Sequence, residues 1–351
     1  MSFMSEKTFI GYVGTYTKKE SKGIYRFRLD TEAKQIRDVQ VAATFDNPTY
    51  VTISHDGNYL YAVGKEGDQG GVASYAIDNN KELTKINHQL MDGASPCHVS
   101  TDRENHQLVT ANYHKGTIDS YLLKEDGAIA PVTSIMQHEG SGPNKERQEK
   151  PHAHYAGFTP DEKYVIGVDL GCDQIFTYAI DNGALEKVQT LSVKPGSGPR
   201  HLAFHPNGKT AYVMTELSSE VIVLAYNEED GRFTEKQYIS TIPTDFTENN
   251  QGSAIHISSD GQFVYAGNRG HDSLAIFSVE KDSDELTFIE NTSTEGQWPR
   301  DFVLDPTEAF LIASNQETGN LVLFSRDQLS GKLTLLQSDI QVPEAVCVKF
   351  L

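Results

Sequence analysis

A chain of 351 residues, 38% hydrophobic and 23% charged, is long enough for two ordinary domains or one large all-β domain, and it has no apolar run near the ~18 residues that a membrane span needs. Its net charge of −19 repels nucleic acid and anionic membrane surfaces, so any negatively charged ligand must be held by a few placed cations. Cys97, Cys172 and Cys347 lie far apart with no C-x-x-C spacing, and Met1 to Lys7 is polar with no apolar h-region, which together predict reduced thiols in a cytoplasmic protein.

In chain order, Phe9 to Tyr16 reads as a strand with no partner strand before it. Asn47-Pro48-Thr49-Tyr50 then opens a phrase that recurs: Pro, two variable residues, an apolar alternation, a turn such as His55-Asp56-Gly57, and a second apolar run such as Tyr59 to Val63. Each phrase is a two-strand hairpin around a tight turn. The Pro slot returns at Pro96, Pro199, Pro299 and Pro343, so the intervals are 48, 103, 100 and 44 positions. Each long interval holds two repeats, the hidden members being Ala153 to Asp169, with Ala in the Pro slot, and Gly252 to Asn268, with Gly or Ser there. A third and a fourth strand follow each hairpin, as in Ser273 to Val279 and then Glu285 to Ile289. Gln137 to Lys150 is a polar, Gly-rich insertion before one first strand, and the tail Val342 to Phe350 is a first strand with nothing after it.

Four short strands per ~45–50 residues is the signature of a propeller blade, and no 3.6-residue periodicity supports a helical solenoid. Seven slots predict an all-β, seven-bladed β-propeller in which the tail completes the N-terminal blade, Val346 pairing with the strand that contains Val13. No blade buries its faces alone, so residues 1–351 are expected to form one domain.

In such a ring the start of strand one and the end of strand two meet at one mouth of the central channel. The first slot contributes Thr49/Tyr50, Cys97/His98, His154/Tyr155, Arg200/His201, Arg300/Asp301 and Glu344. The second contributes Thr15/Tyr16, Lys65/Glu66, Asn112/Tyr113, Asp169, Glu216, Asn268/Arg269 and Asn315/Gln316. Loop tips of any repeat are polar, but Arg and His concentrated in a confined channel of an acidic protein point to an anionic ligand. The densest piece is Pro151-His152-Ala153-His154, whose two histidines share one side of an extended segment. Paired His can bind metal, yet no third protein ligand is evident, so no metal or other cofactor is expected. As a general base, histidine accepts a proton from water near neutral pH, and a carboxylate such as Glu216 could orient it. His55, His205 and His256 sit in turns or strand bodies, where local hydrogen bonding explains them. No Gly-x-Ser-x-Gly elbow, P-loop or dinucleotide fingerprint occurs.

The phrases Gly140-Ser141-Gly142-Pro143 through Arg147-Gln148, Pro151-His152-Ala153-His154, Gly198-Pro199-Arg200-His201, Asn268-Arg269-Gly270-His271-Asp272-Ser273 and Trp298-Pro299-Arg300-Asp301-Phe302 with Asn315-Gln316 resemble the bacterial propeller-type 6-phosphogluconolactonases. That family is related to the fungal carboxymuconate-cyclising enzymes. The resemblance runs over essentially the whole chain and implies metal-independent opening of 6-phosphogluconolactone to 6-phosphogluconate in the pentose phosphate pathway. In the cyclising relatives a His, two Arg and a Glu surround the channel, and by motif these fall on His152, Arg200, Arg269 and Glu216. The implied catalytic set is His152 or His154 as base with Glu216 beside it and Arg200 on the oxyanion. The implied substrate-binding set is Arg269 with Arg300, Arg147 or His201 on the phosphate, joined by His98, Asn268 and Gln316. The expected partner is a small anionic lactone, with neither nucleic acid nor membrane. The competing readings are a cyclase or lactonase for another carboxylated lactone, and a non-enzymatic binding platform, which the fold also hosts.

Overall fold

The computed structural model describes residues 7–351. Among them are 28 strands and no helix, arranged as seven antiparallel four-stranded sheets. Six blades follow the chain from inside to outside, with inner strands Val51–Ile53, His98–Thr101, Ala153–Phe158, Pro199–Phe204, Gln251–Ile257 and Pro299–Leu304. The remaining blade is split as expected: Ala345–Phe350 is its inner strand, beside Thr8–Thr15. Val13 faces Val348 across this pair, and Val346 falls at a register shift between Gly14 and Thr15. The inner strand Ala345–Phe350 also lies against both Pro299–Leu304 and Val51–Ile53, which closes the ring.

The recurring turn explains why the phrase folds as it does. At its first residue the backbone N–H bonds the carbonyl at the start of the second strand, as in Ser54 to Tyr59, Thr159 to Tyr164, Ser258 to Phe263 and Asp305 to Phe310. Three positions on, the chain turns left-handed, and Gly57, Gly208 and Gly261 fill that position without steric cost (φ of 71°, 71° and 73°). Where it holds Glu162 or Glu308 instead, a Thr159–Asp161 or Asp305–Thr307 side-chain bond steadies the turn.

Packing is between blades. Seven apolar clusters each join two neighbours, such as Tyr12, Ile24, Leu60 and Ala73 between the first and second blades. Tyrosines on the second strands also donate to carbonyls of the next blade's outer hairpin: Tyr12 to Lys81, Tyr212 to Asp284 and Tyr265 to Gly331, all at 2.8–2.9 Å. Large side chains thus fill the wedges between blades, leaving the axis to the polar residues of the inner strands.

Candidate active site

The side chains at the channel mouth are aimed by backbone bulges. In the fourth blade Ala153 faces Asp169 and Tyr155 faces Val168, so His154 is an extra residue between them. The same shift leaves Arg200 extra between Pro199 and His201, and Arg300 extra between Pro299 and Asp301. A bulge breaks the alternation of sides and re-aims the inserted residue. The extra residue and the one after it therefore both reach the channel, at two depths.

The mouth holds a cavity of about 500 Å³, lined among others by Tyr16, Lys18, Lys65, His154, Arg269 and Arg300. Glu216, just past the second strand of the fifth blade, is its buried anchor. One carboxylate oxygen accepts from Arg200 Nε at 2.9 Å and from an Arg269 terminal nitrogen at 2.6 Å. The other accepts from Arg147, which the Gln137 to Lys150 insertion carries over the mouth. Burial opposes ionisation of Glu216, yet Arg269 and Arg200 hold its carboxyl well below the ordinary range, so it is charged. Arg200 and Arg269 are further fixed by the carbonyls of Ser253 and Gly252, at 2.8 and 2.7 Å. Arg300 has no carboxylate partner among the described residues; it lies over the Tyr16 ring and donates to Gln316 at 3.3 Å. Lys18 and Lys65 are likewise free of carboxylates there, so the mouth carries a surplus of positive charge.

His154 lies in the cavity wall among these cations. None of its ring nitrogens has a hydrogen-bond partner among the described residues, and Nδ1 is buried. Burial first, then Arg200, push its pKa well below the usual histidine value, so the imidazole is neutral. Cys97 also lines the cavity, but burial raises its thiol to about 12, which removes it as a nucleophile.

The other expected residues are placed differently. His152 stacks on Tyr113 at 4.2 Å beside the cavity, with Nδ1 on the Tyr113 carbonyl and Nε2 on Glu149. Glu216 makes no hydrogen bond to either histidine of the pair, because three arginines take both its oxygens. His98 and His201 lie below the mouth, in a lower chamber with Tyr50 and Tyr155. Asn268 is fully buried and ties Thr241 to Asn250. Gln316 reaches the site only through Arg300. Residue-type reasoning passed over Lys18 and Trp298: Lys18 sits two positions past the slot of Tyr16, and Trp298 lies under the Arg269 guanidinium. Among the described residues no group of three or more His, Cys, Asp or Glu is arranged to hold a metal ion, and no helix is long and apolar enough to cross a membrane.

Fold and site together define a seven-bladed propeller with a cationic pocket around a neutral histidine. The family model described as lactonase, 7-bladed beta-propeller, matches residues 10–350, and the chain belongs to that family of carboxylic-ester hydrolases. It is 58% identical to 6-phosphogluconolactonase of Bacillus subtilis (strain 168), with 98% of each chain covered. A solved protein structure from Lactobacillus plantarum superposes with a TM-score of 0.95 at 44% identity, over 98% of this chain and 99% of that one. The periplasmic gluconolactonase of Pseudomonas aeruginosa superposes with a TM-score of 0.93 at 31% identity, over 98% and 99%.

Proposed function

We propose that this lactonase hydrolyses 6-phospho-D-glucono-1,5-lactone to 6-phosphogluconate, in the pentose phosphate pathway. The observation that carries the reading is the set of cations without carboxylate partners, Lys18, Lys65 and Arg300, in one cavity with neutral His154. A phosphate held by those three groups leaves the lactone ring over the deeper part of the cavity. There His154 takes a proton from water, hydroxide adds to the carbonyl carbon, and Arg200 stabilises the oxyanion. The ring C–O bond then breaks and the leaving oxygen takes the proton from His154. Glu216 has a positioning role, holding three guanidiniums in place, and His152 acts through the Tyr113 ring on which it stacks. The substrate's negative charge raises the His154 pKa in the complex, so a weak base in the free protein becomes a better one when substrate is bound.

The test compares freshly made phosphorylated lactone with its unphosphorylated analogue, for the wild type and His154→Asn. The expected result is a clear preference for the phosphorylated lactone and a kcat lowered by roughly 10²–10⁴ in the variant while substrate still binds. Equal kcat/KM on both lactones would assign the protein to unphosphorylated gluconolactone, as the name of the P. aeruginosa relative suggests. An undiminished kcat in His154→Asn would remove the base.

A further inference from the structure

The mouth cavity is the upper part of a longer passage along the propeller axis. Below it lies a chamber of about 30 Å³, room for about one water molecule, with His154 and His201 both in its wall. Below that lies a third chamber of about 240 Å³, walled by His201, His98, His256 and Lys349. Each neighbouring pair of chambers thus shares a histidine. The ring centroids of His154 and His201 are 5.1 Å apart, and those of His201 and His98 are 5.4 Å apart. His154 Nδ1 and His201 Nε2 are both buried without a hydrogen-bond partner. Both rings wall the small chamber, whose volume admits the one water that would link two such nitrogens. At the far end His256, with 28% of its side chain exposed, meets the Asp301 carboxylate at 3.1 Å.

We infer that His201, with His98 and His256, conducts the proton released by lactone hydrolysis from His154 through the propeller to the face opposite the substrate mouth. The inference rests on the lactone hydrolysis proposed above. In that reaction water adds across the acyl C–O bond: its oxygen joins the carbonyl carbon, and one of its protons ends on the freed ring hydroxyl. The other is on the new carboxylic acid, which is ionised near neutral pH; His154, neutral again once the ring oxygen has taken the first proton, accepts this second one, and it must leave in every turnover. Upward it meets the substrate or product and the surplus of guanidinium charge. Downward it meets uncharged rings and, at the far end, the carboxylate of Asp301, whose charge is shared between the Lys349 ammonium and His256. Burial, followed by Arg200 for His201 and by Lys349 for His98, keeps both rings neutral, His98 being pushed down to about 3, so neither retains a proton it receives. His201 and His98 are positioning residues for proton flow and do not touch the reacting atoms.

The experiment measures steady-state product formation by the full-length protein at low and at high imidazole concentration, for the wild type, His201→Gln and His98→Gln. Expected is a wild-type kcat independent of imidazole and a His201→Gln kcat lowered about tenfold or more at low buffer, with KM within about twofold and kcat restored by imidazole. His98→Gln should behave in the same way and covers the case in which His201→Gln fails to fold. A variant as fast as the wild type at low buffer, or a loss that imidazole does not restore, overturns the relay while leaving the lactonase reading intact. A wild type whose own kcat rises with imidazole also overturns it. A wild type that opens no sugar lactone overturns the proposed function, and the relay with it.

Discussion

Two buried carboxylates anchor the channel at different depths, and their surroundings differ in charge balance. Glu216, at the mouth, faces three arginines. Asp301, deeper, faces one lysine, Lys349 at 3.2 Å, and the imidazole of His256. Burial opposes ionisation of Asp301, and Lys349 then draws it well below the ordinary carboxyl range, so both acids are charged. The lower cluster balances its charge and is complete without a ligand. The upper one leaves cations unmatched in a protein of net charge −19, and the proposed anionic substrate would balance them. Occupancy of the same ring slot therefore does not assign a role; the local sum of charges does.

The most drastic way to break this comparison is to remove Val342 to Leu351, which deletes Lys349 and opens the ring at once. An unpaired edge on Thr8–Thr15 and an uncovered apolar cluster follow, and cooperative thermal unfolding should be lost. A truncated protein that melts like the full chain would show that ring closure carries little stability.

Glu216→Gln and Asp301→Asn sharpen the comparison directly. Each leaves buried cations uncompensated and should cost about 3–5 kcal/mol in a denaturant titration. Added inorganic phosphate should recover much of the loss for Glu216→Gln, where the cations line an accessible cavity, and little for Asp301→Asn. Equal recovery in both would erase the distinction.

Acid should strain both levels together. His98, His154 and His201 all have folded-state pKa values below the unfolded value of about 6.5, so below that pH the unfolded chain binds protons that the fold refuses. Stability therefore falls as pH drops, by about 1 kcal/mol for each group over the first unit below about 6.5, or about 3 kcal/mol for the three, the slope then steepening toward about 1.4 kcal/mol per unit for each. Chemical denaturation at mildly alkaline and mildly acidic pH checks this, and replacing His98 by Gln should flatten the profile by about one third. A profile without slope would mean that these rings protonate freely in the folded channel.

The smallest effect is expected at Arg300. Because it has no carboxylate to release, Arg300→Ala should leave the melting temperature nearly unchanged and weaken KM for a phosphorylated lactone by about 1.5–3 kcal/mol, one charged hydrogen bond. An unphosphorylated lactone should respond little. Arg269→Ala, in contrast, strips a partner from Glu216 and should affect both substrates and stability.

The blade count and the split blade were legible because the Pro slot and the Asp/Asn-Gly turn recur even where Ala153 or Gly252 replaces the proline. Slot geometry also assembled His154, Arg200, Arg269 and Glu216 at one mouth. Depth along the axis was not legible. His201 follows Arg200 by one residue, and only the bulge, a backbone event without a residue signature, lets both wall the small middle chamber while His201 alone continues into the one below. His152 and His154 both pack against Tyr113, but only His154, the residue the bulge inserts, lines the cavity. The commitment of Glu216 to arginines depends on Arg147, which arrives from an insertion that no repeat register places.

The split blade also sets a clock for biosynthesis. Thr8–Thr15 emerges before the six other blades, but its inner partner Ala345–Phe350 is made only after them. At about 5–20 residues per second the nascent chain spends roughly 15–70 s with that inner edge unpaired. During this interval a row of backbone donors and acceptors beside Tyr12 and Val13 is open to any extended strand, including that of a neighbouring nascent chain. Slower translation should therefore lower the yield of closed rings, and expression at lower protein concentration should raise it.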